Sequence, residues 1–165
     1  MLVEKRRDKM LKLFGGLLIL SVGIFAAFVS VQYEKKRLTV VDGWIDLILY
    51  IRGQIDCYLL PLGDILSGGD RALFEACMSP ANAADLPAIL GASEIYLDGD
   101  AKRTLESFVR EIGAGYREEQ LKRCDFFVAS LRSQREKIAA ALPLRTRLCA
   151  TLCICIALAT AILLW

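Results

Sequence analysis

Two stretches without a single Asp, Glu, Lys or Arg bracket this chain, Leu13–Tyr33 near its start and Leu148–Trp165 at its end. Wound as α-helices at about 1.5 Å per residue, they span roughly 31 Å and roughly 27 Å, close to the thickness of a bilayer's hydrocarbon core. Two crossings return both flanks of the intervening segment to the same membrane side. The expected organisation is therefore a tail over 1–12, a transmembrane helix over 13–33, a soluble domain over 34–147 and a second transmembrane helix over 148–165.

Each stretch has a plainer reading. Lys5, Arg6, Arg7 and Lys9 before the first apolar run resemble the leader of a secretory signal. The run is longer than a signal core, however, and Lys35, Lys36 and Arg37 follow it where small cleavage-site residues belong. The second stretch is short enough for a buried core helix. Arg145 and Arg147 at its entrance can snorkel to headgroups and Trp165 suits an interface, which favours the membrane. Composition agrees: 55% of residues are hydrophobic, high for a soluble chain. The segment 34–147 carries 16 Lys or Arg against 17 Asp or Glu, so it lacks the basic balance of a nucleic-acid-binding domain.

Cys57, Cys77 and Cys124 are scattered through the middle, and Cys149, Cys153 and Cys155 lie inside the second apolar stretch. There is no histidine and no C-x-x-C pair, so neither a metal framework nor a cofactor is expected. Unpaired thiols fit a reducing cytosol. Basic residues favour the cytoplasmic side. Lys35, Lys36, Arg37, Arg135, Lys137, Arg145 and Arg147 on the domain side only narrowly outweigh Lys5, Arg6, Arg7, Lys9 and Lys12. A natural start at Met10 would leave Lys12 alone outside, and that shorter form is expected.

Periodicity makes the middle helical throughout, an all-α bundle domain inserted between two transmembrane helices. Val41, Trp44, Ile45, Ile48, Arg52, Ile55 and Leu59 recur at three- and four-residue steps, a long amphipathic helix that Pro61 ends. A short helix is expected over Pro61–Leu66, another around Leu73–Cys77 behind an Asp70 cap, a loop at Ser79–Asn82, and a brief helix at Leu86–Leu90 using Pro87 early. Asp98 starts a helix with Leu105, Phe108, Val109 and Ile112 on one face, and Gly113-Ala114-Gly115 stops it. A second long helix runs from about Arg117 towards Leu142 with Leu121, Cys124, Val128, Leu131 and Ile138 as its stripe. The pattern suits antiparallel packing against the first long helix, the preferred reading, or against a partner helix, and Pro143 is expected to kink or restart it.

No P-loop or dinucleotide fingerprint occurs, and Asp98-Gly99-Asp100 lacks the other ligands of a calcium loop. A non-enzyme is expected. No ionisable group lies inside either apolar stretch, which disfavours a transporter. Small residues such as Gly23, Ala27, Ala157 and Ala161 could let the spans approach each other or a second copy.

Several segments together resemble the stage III sporulation protein AB family of endospore-forming Firmicutes. They are MLKLFGGLLIL from Met10, YIRGQIDCYLLPLGDIL over Tyr50–Leu66, FVREIGAGYREEQLKRCDFFVASL over Phe108–Leu131, and the ending AILLW. Arg52, Gln54, Pro61 and Leu62 match the first internal motif, and Gly113, Glu119 and Gln120 the second. Tyr116 departs from the small polar cap expected before the last helix. The resemblance implies a subunit of the channel complex that links mother cell and forespore. It implies similarity to the inner-membrane platform protein of type II secretion and type IV pilus machines. On that basis the helical domain faces the mother-cell cytosol, docks other subunits and a cytosolic ATPase, and has no nucleic-acid partner; self-association stays open. The alternatives are a small pore subunit whose spans line a path, and a thiol-dependent membrane redox protein built on Cys149, Cys153 and Cys155.

Overall fold

The computed structural model describes the backbone of residues 2–58, 60–79 and 85–164, with side chains throughout except at 2–14, 17, 19–20, 145–146, 150, 153, 157–158 and 160–164. The described residues form helices and turns with no strand among them, in the order α1 (Leu2–Tyr58), α2 (Leu62–Ser67), α3 (Arg71–Ala76), α4 (Leu86–Ser93), a 3₁₀ turn (Glu94–Tyr96), α5 (Gly99–Glu111) and α6 (Arg117–Leu164). The chain divides into two compact units. One is Lys35–Ala139; the other combines Met1–Glu34 with Ala140–Trp165.

The first unit has a closed apolar core. α1 contributes Val40, Val41, Trp44, Ile45, Leu47, Ile48, Ile51 and Ile55, a wider stripe than the three-four pattern alone marks. Phe74, Leu86, Ile89, Leu105 and Phe108 fill it from the short helices, and Cys124, Phe127, Val128 and Leu131 from α6. The rings of Phe108 and Phe127 meet edge to face at 5.4 Å, the geometry that aromatic quadrupoles favour. Trp44 is fully buried, and its indole N–H donates to the Ser93 hydroxyl at 3.0 Å. That hydroxyl lies 3.1 Å and 3.0 Å from the Ile89 and Leu90 carbonyls, so the polar group brought into the core is satisfied. Gly43 lets α1 approach α3 closely: a Cβ there would stand 2.8 Å from the carbonyl carbon of Ala76.

The helix ends follow local chemistry. Pro61 is the residue before α2 rather than its first helical one, and its carbonyl accepts from Asp64 and Ile65 N–H at 3.0 Å and 3.1 Å. Asp70 caps α3 by accepting from Ala72 N–H at 3.3 Å. α3 closes as a Schellman turn, with Ser79 N–H donating to Phe74 and Met78 N–H to Glu75. Met78 takes the left-handed position there, at φ 58°, where glycine is usual. Pro87 stands in the first turn of α4 and Asp98 caps α5, both as the sequence indicates. Leu59 and Pro80–Asn82 lie outside the described residues.

α1 and α6 are antiparallel within this unit. Arg135 pairs with Asp42, Arg52 with Asp125 and Arg117 with Asp56, so rising numbers on one helix meet falling numbers on the other. α6 does not restart at Pro143: the helix runs through it, and the missing N–H leaves the Ala139 carbonyl without its usual donor. In the second unit many of the described apolar side chains are exposed, among them Leu18, Val22, Phe25 and Phe28 on α1, and Leu144, Leu148, Leu152 and Ile154 on α6.

Candidate functional site

Of the residues that carried the family resemblance, all but Gln54 fall into two places in the Lys35–Ala139 unit. The first is the end where α1 gives way to α2 and α5 turns into α6. Here Pro61, Leu62, Gly113 and Gln120 line one small cavity of about 80 Å³ together with Ile55, Leu60 and Ile65. Two separate sequence segments thus build a single feature.

The α5–α6 turn is held by side chains arriving from α6. Gly113 and Gly115 take φ values of 86° and 100°, which side-chain-bearing residues rarely adopt. Gln120 Nε2 donates to the Gly115 carbonyl at 3.1 Å, and Arg123 donates to the carbonyls of Glu111 and Ala114 at 2.8 Å and 3.1 Å. Glu119 pairs with that same Arg123 at 2.6 Å and stands beside Gly115, whose added Cβ would meet Glu119 Oε2 at 2.7 Å. Tyr116 supplies no side-chain cap. Its carbonyl accepts from Glu119 and Gln120 N–H, and its ring is 87% exposed. The last helix therefore begins at Arg117, the expected position, without the small polar residue. Tyr58 and Leu60 are exposed on the neighbouring turn, and Arg117 ties the two turns by donating to the Asp56 carbonyl at 2.7 Å.

Arg52 lies elsewhere. It interrupts the apolar stripe of α1 and grips Asp125 with two hydrogen bonds, Nε to Oδ1 at 2.7 Å and Nη2 to Oδ2 at 3.2 Å. The hydrogen bond to Asp125, reinforced by its charge, raises the already high Arg52 pKa, so the guanidinium stays charged. Gln54 is half-buried on α1 and lines neither that pair nor the small cavity. The partners Asp125, Asp42, Asp56 and Arg123 were not singled out from the sequence. A signal existed: Asp42 and Arg52 on α1 have the same spacing as Asp125 and Arg135 on α6, with signs exchanged in antiparallel order.

Burial, with the Asp46 charge secondary, pushes the Cys77 thiol up to about 12, and burial then Asp125 pushes Cys124 up to about 11. Both are inert core thiols. Cys57 is exposed, so of these three it alone can report sidedness by labelling. Of the thiol cluster in the second apolar stretch, Cys149 is half-buried and Cys155 exposed, while the Cys153 side chain lies outside the described residues. Among the described residues no group of three or more His, Cys, Asp or Glu could hold a metal ion.

The family model of stage III sporulation protein AB matches residues 90–165, from the end of α4 through α5 and α6. Over that segment the chain is similar to this family, whose role is in sporulation. The turn with Gly113, Glu119 and Gln120 lies inside the matched part, whereas Arg52, Gln54, Pro61 and Leu62 lie before it. No curated protein and no solved structure matches the chain. By length and composition α6 is the one helix among the described residues long and apolar enough to cross a membrane. Parts of the first apolar stretch, residues 13, 14, 17, 19 and 20, have side chains outside the described set.

Proposed function

We propose that the chain is a non-enzymatic membrane platform subunit of the sporulation channel between mother cell and forespore. Both apolar stretches anchor it in the mother-cell membrane, and the Lys35–Ala139 unit docks other subunits from the cytosolic side. The observation that carries this reading is the family match over residues 90–165, because it joins a sporulation role to α6, the helix with the apolar segment. The charged side chains on the rest of α6 support it: Arg117, Arg123, Asp125 and Arg135 fasten the unit to itself, while Glu118, Lys122 and Arg132 point outward. By analogy with the platform protein of type II secretion and type IV pilus machines, the partners on that face include a cytosolic ATPase. That analogy concerns architecture, not chemistry.

The test is a chromosomal replacement in a spore-forming host. Lys122→Glu with Arg132→Glu should leave the protein folded and membrane-associated, lower the yield of heat-resistant spores, and reduce crosslinking to the other channel subunits. Parental spore yield in a strain lacking the gene would overturn the sporulation role. Full crosslinking by the charge-reversed chain would overturn docking through this face.

A further inference from the structure

The unit formed by Met1–Glu34 and Ala140–Trp165 holds a cavity of about 500 Å³, within the roughly 300–1,000 Å³ of small-molecule sites. Its wall is mainly apolar, from Val29 and Val31 on α1 and Leu142 and Leu148 on α6; Ser30 between the valines donates its hydroxyl to the Ala26 carbonyl of its own helix at 3.0 Å, and the other polar groups are Tyr33 and Glu34. Glu34 is the charged side chain among the described lining residues. On α1 the polar pair follows the valines by about one helical turn, so the site has a polar end and an apolar end. Around it Phe25, Phe28, Leu144 and Leu152 face the medium, a larger apolar surface than soluble proteins expose without a partner.

We propose that this cavity binds a phospholipid with a primary-amine headgroup, its ammonium at Glu34 and one acyl chain against Val29, Val31 and Leu148. The inference rests on the membrane reading above. The occupant follows from charge as well as from apolarity: a carboxylate at the polar end attracts an ammonium and repels a headgroup that is only anionic. Tyr33 and Glu34 already engage neighbours within the chain. A carboxylate offers about four acceptor positions, so an ammonium adds to those contacts instead of replacing them. The exposed Tyr33 ring offers a second attraction for the cation.

The experiment uses the full-length chain in nanodiscs containing phosphatidylethanolamine and phosphatidylglycerol in equal amounts, followed by native mass spectrometry. One phosphatidylethanolamine is expected to stay bound, preferred by about tenfold, an energy difference that one well-placed charge contact can supply. Val29→Trp and, as a milder filling, Leu148→Phe should each remove the adduct while circular dichroism stays helical. Glu34→Gln should keep a bound lipid and lose the headgroup preference. Alkylation of Cys149, which also lines the cavity, should slow when phosphatidylethanolamine is present. No retained lipid, equal retention of both lipids by the parent chain, or an adduct that survives both filling variants would overturn the proposal. Alkaline carbonate extraction of native membranes separates this from failure of the membrane reading. A chain that is released fails both, and a chain that pellets but retains no lipid fails only the lipid site.

Discussion

α1 and α6 each pass through two chemically opposite regions. Over Lys35–Ala139 their apolar side chains are turned into a core and their charged ones pair across the helices. Over Met1–Glu34 and Ala140–Trp165 many of the described apolar side chains face outward, and Phe25 is 69% exposed. A helix with one apolar stripe is stabilised by neighbours from its own chain, whereas one that is apolar on all sides needs an apolar medium. The contrast shows that helix length says little about what a helix packs against; the angular spread of apolar residues decides it.

The sharpest way to break this contrast is thiol chemistry. Cys77, with its pKa pushed up to about 12 from an ordinary 9.0, should react with a maleimide at pH 8 about a thousandfold slower in the folded chain than after unfolding. The sign for stability follows. Because the unfolded thiol releases its proton first, the helical unit keeps its full stability below about pH 9 and loses it as pH rises towards 12. Denaturation midpoints measured from pH 7 to pH 11 should fall only in the upper part of that range.

Next come paired leucines. Leu105→Ala removes a fully buried side chain and should cost about 2–5 kcal/mol, whereas Leu152→Ala removes one that is 61% exposed and should stay within about 0.5 kcal/mol. Urea unfolding of the full chain, followed through the helical unit, distinguishes them; equal losses would erase the difference between the regions. Gly43→Ala should cost about 1–3 kcal/mol despite alanine's better helix propensity, because its methyl meets the Ala76 backbone. Met78→Gly should stabilise by about 1 kcal/mol in the same assay, by relieving a left-handed residue. The smallest effect belongs to the ion pairs. Arg52→Ala should cost at most about 1 kcal/mol, and exchanging Arg52 and Asp125 should recover part of it, which a double-mutant cycle reads directly.

Much of the helical unit was legible because its signals are local. Asp70 and Asp98 cap where capping residues should, Pro87 occupies an early helical position, and Gly113 and Gly115 hold the positive φ values a reversing turn requires. The stripe of α1 was readable from Val41 to Ile55. Arg52 stood out within it, but only the partner helix explains why a guanidinium belongs there. Two features gave no local warning. Met78 adopts the glycine position of a Schellman turn with nothing in its side chain to announce it, and the Glu94–Tyr96 turn carries no breaker residue. At Pro143 the restart alternative fails, because the residues around it keep α6 helical despite the lost bond. Of the motif residues, Pro61, Leu62, Gly113 and Gln120 share one cavity. Their meeting depends on the register of α1 against α6, which periodicity along either helix alone does not contain.

The seal around Trp44 also gives the molecule an optical consequence. An indole shut away from water and tied to the Ser93 hydroxyl emits towards the blue, and its spectrum moves to the red when solvent reaches it. With Trp165→Phe removing the other indole, fluorescence would follow the melting of Lys35–Ala139 by itself, in detergent or in bilayers, with no dye attached.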